Sequence, residues 1–122
     1  MAVSPEFVAH VEDLFSVVPD TNIRRMFGGV GIFRHGLMYG LGTSDGAVAL
    51  KADEETVPAF KAEGSREWVY EMRGVPKGMG YWFVPERLFD EPDELKQWAL
   101  AACEVAMRAD AKKPPKQRKL KI

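Results

Sequence analysis

RRMFGGVGIFRHGLMYGLGTSDGAVALKAD, residues 24–53, is a series of short apolar runs separated by glycine-marked breaks. Ile23 to Phe27 places aliphatic and aromatic residues around Arg24 and Arg25 before Gly28-Gly29 interrupts, and Val30 to Arg34 resumes. Paired glycines between apolar runs mark a bend or bulge, because glycine accepts positive φ and lets another backbone come close. His35-Gly36 has the composition of a two-residue hairpin turn, and Asp45-Gly46 within Ser44-Asp45-Gly46 is a stronger one. Between them, Leu37 to Thr43 puts Leu37, Tyr39 and Leu41 on one face and Met38 and Gly40 on the other. Val48 and Leu50 carry the last run, which Lys51 ends. Connections this short force neighbouring strands to be antiparallel, since a parallel return needs a crossover of about a dozen residues. The stretch reads as a meander of three strands, or four if the glycine pair splits the first.

Working outward, Ser4-Pro5-Glu6 has the capping order of a helix start. Phe7, Val8, Val11, Leu14, Phe15 and Val18 follow at helical spacing, and Pro19 stops the run. After the meander, Asp53-Glu54-Glu55-Thr56 begins a second helix that Gly64 closes. Arg66 to Met72 alternates, with Trp68, Tyr70 and Met72 on one side. Gly74 to Gly78 reads as the turn, and Met79 to Val84 as the next strand. Its consecutive Tyr81, Trp82 and Phe83 load both faces with aromatics. Such a strand is covered on both sides, or leaves one side for a partner. Asp90-Glu91-Pro92-Asp93 starts a last helix with Leu95, Trp98, Ala99, Ala102, Val105 and Ala106 on its stripe. The expected fold is α+β in two layers: a mostly antiparallel sheet of about five strands, ordered α-β-β-β-α-β-β-α and packed with helices.

One domain is expected for 122 residues, with the folded body at 1–108 and a basic, disordered tail at 109–122. Net charge is −1, and its distribution is uneven. Residues 1–110 carry 11 Lys/Arg against 18 Asp/Glu, whereas residues 111–122 carry six Lys/Arg and no acid. The single cysteine, Cys103, excludes an internal disulfide and suits a reducing compartment. No apolar run approaches the roughly 20 residues of a membrane span, and MAVSPEF has no signal-peptide core. A cytoplasmic, bacterial-type protein is the expectation, without membrane attachment.

Chemistry-bearing patterns are sparse. Two histidines and one cysteine cannot build a four-ligand zinc site from those residue types alone. A Cys–His dyad would need Cys103, beside a helix stripe, to meet His10 or His35. No GxSxG, P-loop or HExxH pattern occurs. Gly29-Val30-Gly31 starts like a dinucleotide loop, but Arg34 stands where the third glycine is required. No catalytic residue, metal or cofactor is therefore expected. Arg24 and Arg25 point to opposite sides of their strand. One is open to a carboxylate of the acidic body, the other to an anion or an acidic partner. A small-ligand binder would use Arg24, Arg25 or Lys51 around a sheet-face pocket. In the tail, Lys112, Lys113, Lys116, Arg118, Lys119 and Lys121 are either a solvated end or a weak nucleic-acid contact, with affinity but no base readout.

Several segments in their order and spacing carry a resemblance. They are RRMFGGVGIF, Asp45-Gly46 running into Leu50-Lys51-Ala52-Asp53-Glu54-Glu55-Thr56, Tyr81-Trp82 before Pro85, and Asp90-Glu91-Pro92 leading to Trp98-Ala99. Over roughly residues 5–108 the chain resembles the N-terminal domain of the TfoX/Sxy family, regulators of bacterial competence. Gly80 and Phe83 depart from the pattern, which has serine and a polar or basic residue there. The resemblance implies a two-layer α+β fold without known catalytic residues. Full-length members carry a second, helical C-terminal domain, whereas here the last helix is followed by the basic tail. The implied role is a non-enzymatic regulatory or protein-interaction domain acting in transcriptional regulation. Its partner would be another protein or a second copy of the chain, met through Tyr81, Trp82 and Phe83.

Overall fold

The computed structural model describes residues 4–26, 29–114 and 116. Helix α1 (Pro5–Leu14) begins as expected: the Ser4 hydroxyl accepts the Phe7 amide at 3.1 Å. A 3₁₀ turn over Phe15–Val17 extends it. The strands are β1 (Thr21–Met26), β2 (Gly29–Arg34), β3 (Leu37–Gly42) and β4 (Val48–Lys51). Then come α2 (Val57–Ala62), β5 (Glu67–Met72), β6 (Val75–Phe83), a 3₁₀ turn over Glu86–Asp90, and α3 (Pro92–Ala111).

The strands form one six-stranded sheet in the order β1-β2-β3-β4-β6-β5, each neighbour antiparallel. Of the two counts the sequence leaves open, three or four, the meander has four strands, because β1 ends at Met26 and β2 starts at Gly29. That raises the sheet from about five strands to six. Phe27 and Gly28, which complete the glycine-marked break in the sequence, lie outside the described residues. Gly29 is needed there because a Cβ would overlap the Gly42 carbonyl oxygen on the neighbouring strand. His35 and Gly36 both take positive φ, 53° and 80°, and join β2 to β3 as a two-residue hairpin turn.

Three details differ from the sequence expectation. First, Ile32 pairs with Gly40 but Phe33 pairs with Met38, so Tyr39 is an extra residue in β3. A bulge of this kind shifts the side-chain alternation by one. Leu41 therefore points away from Leu37 and Tyr39. Second, the β5–β6 turn is Arg73-Gly74, both at positive φ (55° and 77°), and not Gly74 to Gly78. Pro76 is tolerated in β6 because only β5 pairs with that part of the strand; β4 joins at Tyr81–Phe83. Third, α3 continues through Ala111, so residues 109–111, assigned above to the tail, are helical, and Asp110 is only 3% exposed.

The helices share one face of the sheet. Val11, Phe15, Phe60, Leu88, Leu95, Ala99 and Ala102 pack on Val30, Ile32, Tyr39, Val48 and Leu50. The opposite face carries a separate cluster of Leu41, Ala49 and Tyr81, with Met38, Trp68 and Phe83 packed against it and no helical residue among them.

Candidate functional site

The helix-free face is built by strand alternation. Ala49 pairs with Leu41 and Phe83, and Tyr81 pairs with Lys51, so these side chains rise on the same side of the sheet. The bulge at Tyr39 delivers Leu41 to this face. Trp68 and Tyr70, two apart on β5, stack at 5.6 Å. Three cations lie on aromatic rings here: Arg24 over Phe33 at 5.2 Å, Lys51 over Tyr81 at 4.9 Å and Arg66 over Phe83 at 4.9 Å. Each ring face offers negative quadrupole to the cation.

A cleft of about 540 Å³ runs from this face, at Met26, Phe33 and Met38, past Tyr81 and Lys51 to the overhanging end of α3. Ala106, Ala109, Asp110 and Lys113 form the helix side, and Arg24 and Arg25 both contribute to the wall. Among the described residues the lining holds four basic groups and one acid, Asp110. Lys113 approaches Asp110 at 4.0 Å. Burial, and then the charge of Lys113, push the Lys51 ammonium below its usual range. Burial pushes the Tyr81 hydroxyl up to about 12, so the ring stays neutral. The end of α3 is held down by Arg108, which pairs with Asp53 at 2.9 Å and Glu55 at 3.0 Å. Burial opposes ionisation of Asp53, but the Arg108 hydrogen bond and the Glu55 amide outweigh it and hold the carboxyl below its usual range.

The structure separates the predicted aromatic trio. Tyr81 and Phe83 belong to the helix-free face. Trp82 points the other way, 6.1 Å from Phe60, which in turn meets Trp98 edge-on at 4.9 Å. Trp82 is thus part of the helix-side packing. Of the tail cations, Lys112 caps α3 and Lys116 is exposed, while Arg118, Lys119 and Lys121 lie outside the described residues. Sequence reasoning missed Arg66, Phe33 and Met38 as members of this face. Arg66 precedes an alternating strand, a readable signal, but its ring partner is set by long-range pairing that no local spacing reveals.

Cys103 and His35 line a common hollow of about 310 Å³ with Leu37, Tyr39 and Met107. No hydrogen bond joins them. His35 turns to Asp20 at 3.9 Å, and burial pushes the thiol up, offset only in part by Arg34. A thiol kept protonated is a poor nucleophile. His10 packs against the Phe89 ring at 6.4 Å. Among the described residues, no group of three or more His, Cys, Asp or Glu is placed to hold a metal ion. Among the described residues, no helix is long and apolar enough to cross a membrane.

The family model described as the TfoX N-terminal domain matches residues 13–106. No curated protein matches the chain. The family match spans most of the chain, which therefore belongs to the TfoX N-terminal domain family, a non-catalytic, regulatory-type group.

Proposed function

We propose that this member of the TfoX N-terminal domain family is a non-enzymatic regulatory module that works by protein contact through the helix-free face of its sheet. One observation carries the reading. That face gathers Met38, Leu41, Trp68, Tyr81 and Phe83 without a covering helix, and rims them with Arg24, Lys51 and Arg66. Leu41 and Tyr81 are buried, whereas Met38, Trp68 and Phe83 stay half-buried at the surface, and apolar groups with a charged border are how contact surfaces are composed. The complementary partner surface has an apolar centre and an acidic rim, on another protein or a second copy of the chain. Transcriptional regulation is the setting this family membership favours.

The test is co-purification from the native host with tagged wild type and two variants. Arg66→Glu reverses a charge on the helix-free face, whereas Glu104→Lys alters the exposed side of α3. Loss of the partner with Arg66→Glu and its retention with Glu104→Lys are expected. Retention with the first and loss with the second would reject the face. The tail supports a second reading, nucleic-acid contact through Lys112, Lys113, Lys116, Arg118, Lys119 and Lys121. Failure of the full chain to retard duplex DNA or RNA at low salt would end it.

A further inference from the structure

We propose that the cleft bordered by Arg24, Lys51 and Lys113 is a binding site for a small phosphate-bearing molecule. The site goes beyond the protein-contact reading and does not depend on it.

The first ground is an excess of positive charge in the cleft. Arg24 and Lys51 each rest on an aromatic ring, and neither forms an ion pair with a described residue. Lys113, 4.0 Å from Asp110, shares the cleft with both and adds its charge to that of Lys51. Asp110 is the only acid in the lining among the described residues. An incoming anion replaces repulsion between ammonium groups with attraction to each of them.

The second ground is shape and chemistry together. About 540 Å³ lies in the range of small-ligand sites, roughly 300–1,000 Å³. The cations come from three separate parts of the chain, Arg24 from β1, Lys51 from β4 and Lys113 from beyond α3, which suits a compact group with several acceptor oxygens. A phosphate offers three such oxygens and close to two negative charges, and a guanidinium fork fits it in two-point fashion. A monocarboxylate would leave most of the positive charge unanswered. Met26, Leu37 and Phe33 add an apolar wall, suited to the organic part of a phosphorylated compound.

The third ground is preorganisation. Ring contacts bias Arg24 and Lys51 towards the positions they hold in the cleft lining, which lowers the side-chain freedom lost on binding. The Arg108 clamp on Asp53 holds the last turn of α3, just ahead of Lys113.

The experiment is calorimetric titration of the full chain at low ionic strength with sodium pyrophosphate, ATP and a tetraglutamate peptide. ATP and pyrophosphate are expected to bind, and added salt to weaken them. Arg24→Ala and Lys51→Ala are each expected to weaken binding about tenfold, the scale of one lost charged hydrogen bond. Lys51→Arg should restore most of it. Arg66→Ala, which removes a similar ring-stacked cation outside the cleft, should bind like wild type. Arg24 is exposed, so its variant keeps the fold, and a thermal melt verifies this for both. Equal affinity for wild type and Arg24→Ala would overturn the site, as would absence of heat with both phosphates at millimolar concentration. Preference for tetraglutamate over ATP would overturn the phosphate assignment. None of these outcomes touches the co-purification result with Arg66→Glu, so the two proposals fail separately.

Discussion

Tyr39 and Gly40 show how one residue redirects a strand. Strict alternation along Leu37 to Leu41 puts three large side chains on one face. The extra residue sends Tyr39 inward, where its hydroxyl meets Thr21 Oγ1 at 2.9 Å, and frees Leu41 for the opposite face. Gly40 then follows Tyr39 on the inner side, where a Cβ would press on Ile32 and Leu50 at 3.2 Å. Gly29 is more constrained, since its missing Cβ faces backbone that cannot turn aside. Gly29→Ala is expected to destabilise by about 1–3 kcal/mol, measured as a lower urea midpoint at unchanged slope. Trp82 carries a second prediction at this scale. Because it packs towards Phe60 and the helices, Trp82→Ala should lose about 3 kcal/mol of stability in a thermal or urea melt. Any lost partner binding would then reflect the fold and not a missing contact. Wild-type stability in that variant would contradict the packing described.

Among the elements, the ones read correctly announce themselves within a few residues. Ser4-Pro5 starts α1, the apolar stripe at Val11, Phe15 and Val18 is buried as its spacing implies, and His35-Gly36 and Asp45-Gly46 form turns. The expectations that fail are those whose deciding contact is distant. Val75 and Pro76 looked like loop because proline is excluded from paired strands, and nothing local says that this part of β6 has one free side. The end of α3 looked like tail because its basic composition begins at Arg108, whose partners Asp53 and Glu55 are more than fifty residues away. The face carrying the candidate site is half legible: the sequence marks Arg24, Arg25, Lys51 and Tyr81, but the bulge that assembles their apolar floor has no local signature.

Arg87 joins the elements on the other side. It reaches Glu63 after α2 and Glu91 and Glu94 at the start of α3, at 2.7, 2.7 and 2.6 Å. Glu91 lies four residues on, a readable pairing; Glu63 does not. Arg87 hydrogen bonds hold the carboxyls of Glu63 and Glu94 below the ordinary 4.5. A carboxyl lowered on folding favours the fold above its unfolded value and loses that contribution as pH falls through the folded one. Stability should therefore decline as pH drops below about 4.5, and the decline should be shallower in Arg87→Met. The cluster is exposed, so salt should shrink the difference. Parallel acid limbs in wild type and variant would show that the network does not contribute.

For the whole molecule, the separation of charge is the feature that net charge conceals. An acidic body ends in a basic segment, and the cationic cleft lies at their junction. If the basic end holds duplex DNA through six phosphates, the logarithm of affinity should fall with that of salt at a slope of about −5. A shallow slope would leave the tail as a solvated end. The two-layer build leaves one sheet face without helices, and the proposed contact lies there. Hydroxyl-radical footprinting of the co-purified complex tests that assignment most directly, because oxidisable side chains mark both sides. Met38 and Trp68 report the helix-free face, and Met107, 45% exposed, reports α3. The account predicts that Met38 and Trp68 become protected in the complex while Met107 stays as reactive as in the free chain. Protection of Met107 with Met38 and Trp68 unchanged would contradict it.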